Sequence, residues 1–177
     1  MEVSKQTYKW TRFWCPRTGT MNLSDRGYLS DPESEFGHIY NPDLVAFDSI
    51  AATPCLALLG EPGIGKSHAM GAAQKAIDER IRKGRDKALW LDLRSFGSED
   101  RLVRQLFESR VFQSWKKAKY CLHLFLDSLD ECLLRIDTLS ALLIDELSKY
   151  PVERLYLRVA CRTADWPEGF EQGLRRL

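Results

Sequence analysis

The residues Gly60-Glu61-Pro62-Gly63-Ile64-Gly65-Lys66-Ser67 fit the spacing G-x-x-x-x-G-K-[ST]. Each residue type has a chemical reason if the loop holds phosphate. Glycines let the backbone curl until successive N–H groups point inward at anionic oxygens. Lys66 supplies a mobile point charge for the outer phosphates. Ser67 offers a hydroxyl to a Mg²⁺ ion bridging them. Glu61, Pro62 and Ile64 complete the loop. His68 directly follows Ser67 and closes the stretch assigned to the nucleotide, as a packing residue rather than a catalyst. The competing reading is a glycine-rich turn with an incidental lysine. The flanks argue against it: Cys55 to Leu59 is an apolar run ending in glycine, and a helical pattern follows from Ser67, adding its positive dipole end to the loop.

A second cluster is acidic. Leu122 to Leu126 is an apolar run that ends in Asp127. A carboxylate at the C-terminal edge of a parallel sheet faces the crevice where ligands bind. From there Asp127 is placed to serve the same Mg²⁺ as Ser67. Asp130 and Glu131 lie about one turn further on, within reach of a water to be oriented or deprotonated. They also suit the solvated start of a helix, because acids favour a first turn.

These groups need elements to position them. From Pro54 the chain reads strand, helix, strand, helix. After the first strand, Ser67 to Lys83 reads as a helix stopped by Gly84. Ala88 to Leu93 is a second strand. Ser98 caps a helix that carries Glu99 and Asp100 in its first turn and reaches about Phe107. Tyr120 to Leu126 is a third strand. Thr138 to Lys149 is a helix with Leu139, Leu142, Leu143 and Leu147 on one face. Leu155 to Cys161 is a fourth strand. Alternation of this kind specifies a parallel sheet covered by helices on both faces. The first fifty residues differ, being rich in aromatics and turn formers such as Arg17-Thr18-Gly19-Thr20, Asp25-Arg26-Gly27 and Ser30-Asp31-Pro32. They read as short extended pieces and turns. The expected division is therefore a lead segment, 1–50, and a nucleotide-binding core, 51–177.

Composition narrows the class. With 177 residues the chain has room for one packed domain. Lys plus Arg is 26 and Asp plus Glu is 25, leaving a formal net charge of +1 and no chain-wide electrostatic footprint for nucleic acid or anionic lipid. No apolar run approaches the length of a membrane span, and residues 1–11 are too polar for a secretory signal. Five cysteines, Cys15, Cys55, Cys121, Cys132 and Cys161, match no zinc or redox spacing. Three of them sit in apolar runs and read as small core residues, which points to a reducing cytoplasm.

The stretch Leu126-Asp127-Ser128-Leu129-Asp130-Glu131 resembles the Walker B element of NACHT-type ATPases, in the STAND class of signalling NTPases. There a small residue follows the metal-binding Asp and an acidic pair comes just after. Gly60 to Ser67 has the loop form common in that family. Val159-Ala160-Cys161-Arg162-Thr163 resembles the strand end whose arginine senses the γ-phosphate, which gives Arg162 a role; its other reading is an ordinary surface arginine. The resemblance spans about Pro54 to Trp166. It implies an α/β P-loop NTPase, a three-layer sandwich with a parallel sheet between helices, here ending after the fourth strand. It implies ATP, with GTP as the alternative, and Mg²⁺. Asp130, Glu131 and Arg162 become the expected catalytic group, and Ser67 with Asp127 the metal set. It also implies self-association or further modules of a longer chain, and a role as an ATP-dependent switch, which in bacteria often serves antiviral defence. That family's sheet has a fifth strand and a helical lid, and neither is visible in this sequence, so the expectation is an incomplete core with slow turnover.

Rival readings are an AAA+-like motor acting on nucleic acid or protein, and a small-molecule kinase. The pair Asp130 and Glu131 weighs against a kinase, which must leave water unactivated. Tyr8 to Trp14 interleaves bases and aromatics as a single-strand-binding surface would, though such aromatics more often pack while the charges stay wet. In the resembled family an upstream segment grips the adenine, which makes Val45 and Phe47 candidates for base contact; core packing explains them equally well. Arg158 reads as structural or exposed, and His38 and His123 have no ligand spacing.

Overall fold

The computed structural model describes residues 12–23, 29–81 and 86–177. The turn at Asp25-Arg26-Gly27, the helix stop at Gly84 and the residues Tyr8 to Thr11 lie outside them. The chain divides into two compact units, Met1–Ala52 and Thr53–Leu177.

In the first unit β1 (Phe13–Trp14) pairs antiparallel with β2 (Val45–Ala46), and two one-turn helices, α1 (Gly37–Tyr40) and α2 (Phe47–Ile50), flank β2 in sequence. Turn chemistry dominates here. Gly19 N–H bonds Pro16 O at 2.8 Å, and the Asp31 carboxylate accepts from Glu33 N–H at 2.9 Å. Asn41, buried, brackets Asn22 by accepting from its N–H and donating to its carbonyl. The two short helices have no counterpart in the sequence reading, since four residues carry no periodicity.

The second unit runs β3 (Cys55–Leu59), α3 (Lys66–Ile81), β4 (Lys87–Asp92), α4 (Glu99–Leu106), α5 (Arg110–Lys117), β5 (Leu122–Asp127), α6 (Ile136–Leu147), β6 (Leu155–Cys161) and α7 (Glu168–Arg176). It is an α/β unit whose sheet has four parallel strands in the order β3-β6-β5-β4. The chain leaves β3 at one edge, crosses to β4 at the other, then steps back through β5 to β6. Right-handed crossovers in opposite directions put α3 on one face and the later helices on the other. The packing agrees. Leu122, Leu124, Leu126, Leu155, Leu157, Val159 and Cys161 form one core with residues of α4 to α7. Leu58, Phe125 and Ala160 point to the opposite face, where α3 buries Met70.

Ser98 caps α4 by accepting from Arg101 N–H at 3.4 Å. The helix α5 was not visible in the sequence; Ser109 caps it, accepting from Phe112 N–H at 3.2 Å, and Phe112 and Trp115 are fully buried. The helix α7, also unanticipated, packs on α6 through Gly173, where a Cβ would meet Ile144 at 2.7 Å. Among the described residues no helix is long and apolar enough to cross a membrane.

Candidate functional site

The turn between β3 and α3 is built on glycines. A Cβ at Gly60 would lie 2.1 Å from the Ile64 side chain, so the chain closes on itself there. Gly63 has φ +80°, a left-handed backbone with nothing within 4 Å of a Cβ position. The Lys66 ammonium donates to the carbonyls of Gly60 at 2.5 Å and Glu61 at 3.1 Å, so the lysine folds back over its own loop. Glu61, Pro62, Gly63 and Ile64 are exposed, and Gly65 and Lys66 half-buried.

Ser67 opens the first turn of α3 and its hydroxyl donates to Asp127 Oδ1 at 2.9 Å. Asp127 is buried at the last position of β5, on the face that α3 covers. Two residues sixty apart in sequence thus meet, and both offer oxygen. That donor set suits a hard cation completed by phosphate oxygens and water rather than a cage made of protein alone. No group of three or more His, Cys, Asp or Glu forms such a cage among the described residues. Ser128, next in the chain, takes the left-handed conformation at φ 60°, ψ 54° and turns it into a 3₁₀ turn over Leu129–Glu131.

That turn separates the two acids. Asp130 is directed at the end of β6. Its Oδ1 accepts from the Arg162 backbone N–H at 3.0 Å and its Oδ2 lies 2.9 Å from Arg162 Nε. The second contact is a close ion pair outside hydrogen-bond alignment. The Asp130 side chain is 3% exposed and that of Arg162 is 42% exposed. Glu131, 43% exposed, stands 3.9 Å from an Arg162 terminal nitrogen. Cys161, wholly buried before Arg162, has its thiol pushed up to about 12, first by burial and then by the charges of Asp130 and Asp165.

The sequence reading missed a charged pair at this edge. Asp92 closes β4 in register with Asp127, and the Arg94 guanidinium grips it through Nε at 2.8 Å and a terminal nitrogen at 2.6 Å. Hydrogen bonding to Arg94 holds the Asp92 carboxyl below its ordinary range. The signal was available, since Asp92 ends a strand as Asp127 does.

Other expectations resolve differently. His68 is exposed on α3, so it is not a packing residue; Ala69 and Met70 take that role. Of the three strand cysteines only Cys161 is buried, because Cys55 lies on an edge strand and Cys121 precedes β5. Arg158 is buried and structural, donating to the carbonyls of Pro54 and Leu157. His123 stacks on Tyr156 at 4.8 Å. In the first unit Trp14 and Phe47 pack edge to face at 6.2 Å, a packing role for aromatics also read as nucleic-acid or base contacts. Val45 lies half-buried in β2.

No protein-family model matches this sequence, and no curated protein is significantly similar to it.

Proposed function

We propose that this chain binds a nucleoside triphosphate, ATP ahead of GTP, with Mg²⁺, as the core of a NACHT-like P-loop switch. The observation that carries the reading is the Ser67–Asp127 hydrogen bond beside the Lys66-bearing glycine loop. The loop N–H groups and the α3 N-terminus would receive phosphate oxygens. Lys66 would exchange its carbonyl contacts for the outer phosphates, a charge-assisted gain. Ser67 and Asp127 would hold Mg²⁺, which supplies charge neutralisation at the phosphates. Glu131, partly exposed at the same edge, would orient a water, and Arg162 beside it would answer to the γ-phosphate. The switch role and service in defence rest on the sequence resemblance to NACHT-type ATPases, and an AAA+-like motor is the alternative use of the same site.

Titration of a fluorescent ATP analogue with Mg²⁺ tests the reading. Lys66→Ala should weaken binding by about 10- to 100-fold, the worth of one or two charge-assisted hydrogen bonds. Its urea midpoint should move little, because the ammonium bonds only carbonyls of its own surface loop. Equal affinity in both proteins would sink the assignment.

A further inference from the structure

The acids Asp130 and Glu131 adjoin in sequence but sit in opposite circumstances. Glu131 has its carboxylate in water for nearly half its surface, whereas Asp130 is almost wholly enclosed. A buried carboxylate is tolerated only when its oxygens are occupied. Each oxygen of Asp130 meets Arg162, one at the backbone N–H that follows β6 and one at the guanidinium, with the buried Cys161 thiol beside the same carboxylate. To reach a reacting water Asp130 would have to abandon the strand end. Arg162 is asymmetric in turn: Nε faces Asp130, while a terminal nitrogen reaches toward Glu131 without closing on it, at 3.9 Å.

We infer that Asp130 is a positioning residue, a latch holding the Arg162 guanidinium at the end of β6 in competition with the phosphate of a bound nucleotide, and not an acid acting on water. This rests on the nucleotide reading above. Without a terminal phosphate, Arg162 stays with Asp130 and lies across Glu131, whose negative charge it partly offsets. A triphosphate offers the same guanidinium three anionic oxygens, and the arginine is drawn from the carboxylates toward them. The Asp130 bond to the Arg162 backbone N–H needs no charge and keeps the strand end in place throughout. The chain would thus distinguish tri- from diphosphate through a single side chain held by its own acid.

The test is a double-mutant cycle on the ratio of ATP to ADP affinity, measured with Mg²⁺ by calorimetry. Asp130→Asn keeps the backbone acceptor and removes the competing charge, so the ratio should rise by about threefold or more, in the range of a partly exposed ion pair. In an Arg162→Gln background the same change should leave the ratio within about 1.5-fold. A ratio that falls, stays constant, or rises equally in both backgrounds overturns the latch. A wild-type chain that binds neither nucleotide overturns the nucleotide reading and the latch with it, whereas binding of both with an ineffective Asp130→Asn overturns the latch alone. Should Asp130→Asn not fold, ¹⁵N-labelled wild type gives the answer. The Arg162 Nε–H resonance should shift with a non-hydrolysable ATP analogue and remain in place with ADP, and one common position for both overturns the latch.

Discussion

Leu59 and Cys161 are register partners in adjacent parallel strands, so the two residues that follow them, Gly60 and Arg162, leave the sheet side by side. This follows from the strand order. β6, the last strand in the chain, inserts between β3 and β5, so Arg162, the residue after its end, leaves the sheet between the strand that leads into the glycine loop and the strand that carries Asp127. The helix after β3 covers one face and the helix after β6 joins the other, so the two connections diverge at the C-terminal edge of the sheet, which in open α/β sheets is the ligand-binding edge. All the chemistry-bearing groups named above, from Gly60 to Arg162, are carried on segments that start at this edge.

Asp127→Asn should separate metal-dependent from metal-independent binding. Asparagine can still accept the Ser67 hydroxyl, so the 2.9 Å bond and the packing of α3 on β5 survive. On the Mg²⁺ reading, the lost negative charge is the part that would serve the cation. The wild type should bind nucleotide more tightly with Mg²⁺ than with EDTA, and in the variant that difference should shrink by about tenfold or more. If the Mg²⁺ increment is unchanged, Asp127 does not serve the metal.

The core elements were legible where residues report on themselves. The leucines of α6 repeat at helical spacing, and β5 and β6 are apolar runs, broken within the strand only by His123 and Arg158, because both faces are covered. The helices α5 and α7 were not legible. Each has eight or nine residues with charges over most of its surface and a few buried aromatics, Phe112 and Trp115 in one, Phe170 in the other. The site divides the same way. Gly60 to Ser67 and Asp127 are local patterns whose spacing carries the chemistry. That Asp130 closes on Arg162 at 2.9 Å while Glu131 stays 3.9 Å away depends on the left-handed Ser128, on the 3₁₀ turn and on β6 being the neighbouring strand. No local pattern encodes a pairing across thirty residues.

Ser128 should respond to substitution in a way set by its backbone. Among the described residues it is the only non-glycine with positive φ. The left-handed conformation costs an L-residue roughly 1–2 kcal/mol, which glycine avoids at the expense of a looser unfolded chain. Ser128→Gly should therefore be neutral or raise stability by up to about 1 kcal/mol. Ser128→Val, β-branched, should lower it by about 1–3 kcal/mol. Urea midpoints at constant m are the measurement. Equal destabilisation by both would mean that the serine side chain, not its backbone, is what the turn requires.

Stability should fall on the alkaline side through Cys161. In the folded chain its thiol is pushed up to about 12, chiefly by burial and then by Asp130 and Asp165, from an ordinary value of 9.0. Between those values the unfolded chain releases a proton that the folded chain keeps. The unfolded state then binds fewer protons, so stability declines as pH rises. The contribution is present in full below pH 9 and is lost between about 9 and 12 at up to roughly 1.4 kcal/mol per pH unit. The thiols of Cys15, Cys55, Cys121 and Cys132 are also raised, chiefly by burial, so the wild-type curve alone does not isolate Cys161. Cys161→Ala does: it removes the titrating group and leaves the others, at a pH-independent cost of about 1 kcal/mol for the smaller core residue. The two stability curves, measured by urea denaturation from pH 7 to 10.5, should run parallel below 9, converge above it and cross before 10.5. Curves that remain parallel throughout would mean that water reaches the Cys161 thiol in the native state, and that the Asp130–Arg162 strand end is more open than its geometry indicates.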